Sequence, residues 1–168
     1  MTSKSKSDNS SDNTISSIFE PDFVRGLCGI FEEHIAFNKV LGLRIDSLEA
    51  EVVKAHISMR PELIGHFAHN RLHGGVISAT LDAMGGLAVM AAIGARHLDE
   101  EPTARLHRFA KLGTIDLRVD YLRQAIGQRF DATAEVLRLG SRVASTRMSF
   151  FAADGKLFAT GAAAYIVS

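Results

Sequence analysis

The chain has no tryptophan, only two tyrosines, three prolines and a single cysteine, and its 19 acidic residues are matched by 19 basic ones. Each shortage closes a route. Cys28 alone cannot make an internal disulfide, and no apolar signal core follows Met1, so the sequence reads as a cytoplasmic protein of a reducing compartment. A formal net charge of zero argues against a surface that grips a polyanion as a whole, and the scarcity of stacking aromatics removes the usual platform for nucleic acid. What remains is ordinary: 168 residues, 46% hydrophobic and 23% charged, enough for one domain with its own core and too few for two.

Residues 1–16 are rich in serine, asparagine, aspartate and lysine and bury too little apolar surface to offset the entropy of ordering them. They read as a disordered tail before a single domain over 17–168. From Ile18 the apolar residues Phe19, Phe23, Leu27, Ile30, Phe31 and Ile35 recur at three- and four-residue steps, which predicts an amphipathic helix over 18–38. Past Gly42 the period falls to two. Val53, Ala55, Ile57 and Met59 alternate with polar or exposed neighbours, and four similar stretches follow at 111–123, 128–139, 142–152 and 156–167. In the first of these, Ile115, Leu117, Val119 and Tyr121 are expected on one face and Asp116, Arg118 and Asp120 on the other. Short gaps and clean alternation describe antiparallel strands covered on one side.

Between the strand regions, residues 76–93 are apolar or small throughout, with Asp82 as the single ionisable group. A helix apolar all round must be buried all round. It is long enough to cross a bilayer, but Asp82 at mid-span, the many glycines and the need of amphipathic strands for a cover argue for a core helix. The fold class that follows is α+β, a curved antiparallel sheet of five or six strands wrapped around one long helix. Asp82 has no cation three or four residues away, and a buried carboxylate without a partner is costly. Its alternatives are a backbone or distant-arginine contact of purely structural kind, or chemistry. Gly74 and Gly75 at the start of the same helix leave backbone N–H groups open to an anion or oxyanion, and the combination suggests a site where a carbonyl is polarised and attacked.

The run RLHGGVISATLDAMGG resembles the signature of hotdog-fold acyl-CoA thioesterases of the PaaI-like and YigI-like type, with His73 opening the glycine pair and Asp82 nine positions later. The resemblance continues through GTIDLRVDYLR at 113–123 and RLGSRVASTRMSFFAADGKLFATGAAAYIV at 138–167. It implies a hotdog fold and hydrolysis of an acyl-CoA thioester to free acid and CoA. Medium or long fatty acyl chains come first as substrates and aryl-acetyl groups second. It further implies Asp82 as general base or nucleophile and the Gly74 amide as oxyanion donor. By the same resemblance Thr114 orients the attacking water, and His73 orients the turn rather than moving protons. Two subunits join their sheets in such enzymes, and each site takes its acid from one chain and its glycine loop from the other. A homodimer or a tetramer is the expected state, with no cofactor, membrane or nucleic-acid partner.

Two positions depart from the pattern. Relatives carry asparagine or glutamine six or seven residues before the glycine-pair histidine, to hold water, and His66 stands there; Asn70 is near but out of register. A histidine can still donate or accept a hydrogen bond, so His66 keeps a water-positioning role, while Gly75 and Asn70 are expected to contact substrate. Gln124 stands where relatives often have proline. A zinc site built from His66, His69 and His73 is disfavoured by the flanking glycines and the absence of a HExxH glutamate, so no metal is expected. Residues 104–147 hold nine arginines and lysines against four acids, and Arg138 and Arg142, which flank Gly140, are the expected contacts for the CoA phosphates. A non-catalytic acyl-CoA-binding protein and an acyl-thioester dehydratase or hydratase stay as alternatives.

Overall fold

The computed structural model describes residues 15–168, so residues 1–14 of the expected tail lie outside the described residues. At the tail's far boundary the expectation is corrected: β1 (Ser16–Ser17) pairs in parallel with β2 (Arg44–Leu48). The helix expected over 18–38 is three pieces. Pro21, with its φ fixed and no N–H to satisfy, starts α1 (Pro21–Cys28); the chain then widens into a π-type segment at Gly29–His34, breaks at Ile35 and resumes as α2 (Ala36–Leu41). Gly42, at φ +71°, ends it in the left-handed conformation.

One sheet forms the body. Following β2 come β3 (Val52–Ser58), a small hairpin of β4 (Ile64–His66) and β5 (Arg71–Leu72), and α3 (Gly74–Arg96). The short α4 (Pro102–His107) leads to β6 (Gly113–Tyr121), β7 (Arg129–Leu139), β8 (Val143–Ala152) and β9 (Leu157–Ile166). The spatial order is β1-β2-β3-β7-β8-β9-β6, antiparallel apart from the first pair. Six antiparallel strands, with β1 added in parallel at one edge, and a long central helix therefore make the expected hotdog architecture, with α4 an element the sequence pattern did not disclose.

The strands turn alternate residues toward α3. Val53, Ala55 and Ile57, Phe130, Ala132 and Ala134, Met148 and Phe150, and Ala159, Ala163 and Tyr165 are all buried. Many of these are alanine, so the helix comes close to the sheet, and its apolar stretch is core. In β6 Leu117 and Val119 keep the expected core-facing side, and the correction falls on Ile115. The register shifts between Thr114 and Asp116, so Thr114 pairs with inward-facing Tyr165 while Ile115 is 56% exposed. That bulge brings a hydroxyl, rather than an isoleucine, over the helix.

Candidate active site

Asp82 lies in the third turn of α3, half-buried, and its carboxylate is held by two hydroxyls. Thr114 Oγ1 donates to Oδ1 at 2.9 Å, and Tyr165 Oη lies 3.2 Å from the same oxygen and donates to the Asp82 main-chain carbonyl at 2.8 Å. No cation pairs with it among the described residues, and Oδ2 has no protein donor there. Burial, and next the adjacent Asp82 charge, push the Tyr165 hydroxyl well above the usual tyrosine range, which keeps it protonated and a donor. The close approach depends on Gly85, where a Cβ would overlap the Tyr165 ring and hydroxyl.

At the amino end of α3, His73 is the N-cap residue, and its Nδ1 accepts from the Gly75 N–H at 2.8 Å. That bond fixes the ring with its proton on Nε2 and occupies the Gly75 amide. The Gly74 N–H, at the first position of the helix, has no acceptor within it. Gly74 is gripped from the other side, since Tyr121 Oη donates to its carbonyl at 2.9 Å and the Tyr121 ring lies 3.4 Å from where a Cβ would stand. Gly65 in β4 also has to be glycine, because a Cβ would come within 2.5 Å of His73 Cα. Thus the turn that presents Gly74 is braced by β4, by the end of β6 and by its own histidine.

His66, His69 and Asn70 sit on the tip of the small hairpin. The rings of His66 and His69 stack with centroids 4.8 Å apart, Phe67 flanks them and is 91% exposed, and Asn70 adopts φ 47°. His66 Nδ1 is buried and has no protein partner among the described residues. His73 is committed to its helix cap, and no three metal-ligating side chains converge among the described residues. Arg138 lines a depression with Ala92, Ala95 and Arg96 at the carboxyl end of α3, and Arg142 follows in the adjoining β7–β8 turn. Neither is brought beside Gly74 within the chain.

Gly74 and Asp82 are eight residues apart on one helix, about 12 Å along its axis. One carbonyl cannot lie within hydrogen-bond reach of both. Tyr165 is the residue that the sequence reading missed. Its signal was available, as a lone tyrosine among alanines on the inward face of β9, where a buried phenol needs a partner.

The Thioesterase superfamily pattern matches residues 69–159, which includes both the glycine turn and Asp82. A medium/long-chain acyl-CoA thioesterase of Escherichia coli, YigI, is 36% identical over 138 residues, covering 82% of this chain and 89% of its own. A crystal structure from Shewanella oneidensis, related to the thioesterase superfamily, superposes with a TM-score of 0.81 at 38% identity over 89% of this chain and all of that one. One from Syntrophus aciditrophicus gives 0.77 at 34% identity over 86% and 95%. An acid on the central helix, a glycine turn at its start and these relatives lead to one conclusion: the chain belongs to the thioesterase superfamily and is a thioester hydrolase of hotdog fold.

Proposed function

We propose that the protein hydrolyses acyl-CoA thioesters to the free acid and CoA, with medium and long acyl chains preferred and aryl-acetyl groups second. The observation that carries this reading is the oriented carboxylate. Oδ1 of Asp82 is held by Thr114 and Tyr165, while Oδ2 is left open to a substrate or a water. The chain-length preference rests on the likeness to YigI.

The chemistry follows from the two groups. Asp82, as base, takes a proton from water as the water oxygen bonds to the thioester carbon, and the carbonyl oxygen becomes an oxyanion. The Gly74 N–H, at the positive end of α3, donates to that oxyanion. Collapse re-forms the carbonyl, breaks the C–S bond and expels the CoA thiolate, which takes up the proton. With Asp82 as nucleophile, an acyl-aspartyl anhydride forms as CoA leaves, and water then cleaves it. Thr114 acts in both versions by holding the carboxylate, and His73 by fixing the turn.

Because Asp82 and Gly74 of one chain stand too far apart to share a carbonyl, the working site is composite, with the acid from one subunit and the amide from its partner. The edge strand β6 supports a joined sheet: it is paired on one side only among the described residues, and Ile115 and Tyr121 on it and Leu122 just after it are about half exposed. The test is thiol release by the purified protein across short, long and aromatic acyl-CoAs, beside Asp82→Asn. Turnover on long chains that vanishes in the variant is expected. CoA binding without turnover on any substrate would replace the hydrolase with a binding protein.

A further inference from the structure

A cleft adjoins the Gly74 amide. It encloses about 500 Å³ and is lined by Arg71, His73, Gly74, Tyr121, Arg123 and Gln124 among others, with no acidic residue in its wall. Two arginines and a helix amino terminus therefore face one space without a counter-charge. The chain brings them together from distant segments. Leu72 N donates to Ala125 O at 2.9 Å, which ties the β5 strand to the loop after β6, and the amides of Leu122 and Arg123 both reach Phe158 O at 2.9 and 3.1 Å. The backbone beneath each arginine is thus fixed, while the side chains stay available.

Their availability distinguishes them from most other arginines. Arg44, Arg105, Arg108, Arg118, Arg129 and Arg147 are each engaged with a carboxylate. Among the described residues Arg71 has no acidic partner, and the guanidinium of Arg123 makes one bond, Nη1 to Leu157 O at 3.0 Å, which leaves most of its donors free. The depression that holds Arg138 is different, since Glu51 and Glu135 share its wall with Arg96 and Arg138 and cancel its charge.

We infer that Arg71 and Arg123 bind the diphosphate of CoA in this cleft and so position the thioester at the Gly74 amide. This rests on the thioesterase reading above and goes beyond it in assigning the nucleotide end of the substrate, away from Arg138 and Arg142. Paired guanidinium forks suit a diphosphate, and it is the first anionic group met along CoA from the sulfur. The arginines do not touch the reacting carbon, so they are positioning residues. Their loss changes KM and leaves kcat nearly intact.

The experiment compares wild type, Arg71→Gln, Arg71→Gln/Arg123→Gln and Arg138→Gln/Arg142→Gln on a long-chain acyl-CoA and on the same acyl group carried by pantetheine, which has no phosphate. Calorimetric titration with CoA itself runs alongside. Arg71→Gln keeps the Leu157 bond of Arg123 and serves as the variant with the least structural change. The double variant is expected to raise KM for acyl-CoA by about tenfold or more, to weaken CoA binding in parallel, and to leave KM for acyl-pantetheine unchanged. The same rise on the 3′-dephospho-CoA ester would assign the effect to the diphosphate, and its loss there would overturn that assignment. A wild type that hydrolyses acyl-CoA with both cleft variants unaffected, or with the effect appearing only in Arg138→Gln/Arg142→Gln, overturns this inference and leaves the thioesterase standing. A wild type that neither turns over nor binds CoA removes both.

Discussion

The carboxyl half of α3 is sealed and its amino half is open. At the sealed end, Phe23 packs on Gly94, Phe31 lies against Gly86 and edge-on to Phe109, and Arg105 is 1% exposed. The Arg105 guanidinium sits 4.5 Å above the Phe23 ring, donates to Gly94 O at 3.2 Å and pairs with Glu20. Phe23 and Arg105 join α1 and α4 to the helix, and Phe31, in the π-type segment after α1, adds to them. At the open end the polar groups point outward instead: among the described residues the Gly74 amide is uncapped, Oδ2 of Asp82 has no donor, and the neighbouring arginines lack acids. The difference teaches that one helix can be anchored by half its length so that the other half presents groups whose hydrogen-bonding capacity is unused. The N-terminal helix α1 is part of the anchor.

Substitutions at the two ends should therefore separate activity from stability. The largest effect is expected from Asp82→Asn, which keeps the shape but removes the base or nucleophile; turnover should fall by roughly a thousandfold or more with little change in melting temperature. A variant that keeps most of its rate would move the chemistry off this residue. Next comes Phe23→Ala at the anchored end, where a fully buried ring is lost between α1 and Gly94. It should cost about 3–5 kcal/mol, a drop of roughly 10 °C in melting temperature, while the folded fraction keeps its kcat. Equal loss of rate per folded molecule would show that the two halves are coupled.

A smaller effect is expected from Tyr165→Phe. It removes one donor from Asp82, leaves Thr114 in place and should lower kcat by about tenfold, with Thr114→Val comparable. If the two hydroxyls share the task, the double variant should lose more than the singles combined, and simple additivity would make them independent supports.

The smallest effect is a pH dependence. Burial, with help from the Glu32 charge, pushes the Cys28 thiol up to about 12 from an ordinary 9.0, and Tyr165 is raised as well. For groups whose folded-state pKa is raised, stability is whole below the ordinary value and is lost as pH climbs through the raised one. Thermal stability should therefore fall progressively above about pH 9, and Cys28→Ala with Tyr165→Phe should flatten the slope. A flat profile in the parent chain would contradict this.

The fold was largely legible because its elements obey their own periods. Four strand stretches lie within two residues of their observed ends, and α3 was marked by the absence of any polar face. The misreadings have local causes. The apolar positions of 18–38 keep a helical spacing even where Gly29 admits a wider turn and Ile35 breaks the ladder, so periodicity alone joined three pieces into one. The short α4 has too few residues to show a period. In β6 a single bulge turns Ile115 outward, and alternation cannot reveal that the Thr114 hydroxyl reaches the helix in its place.

By itself the sequence determined which segments are buried and where along the chain the proposed catalytic groups lie. Apolar periodicity, the glycine pair after His73 and an unpaired aspartate in an apolar helix are all local patterns. Only the tertiary structure decided what Asp82 is bonded to, because Thr114 and Tyr165 come from strands 32 and 83 residues away. The same holds for the cleft: Arg71 and Arg123 meet across a bond between Leu72 and Ala125 that no pattern along the chain encodes. Periodicity records the face a residue presents, whereas a partner is chosen by sheet register and by the close approach that small residues permit.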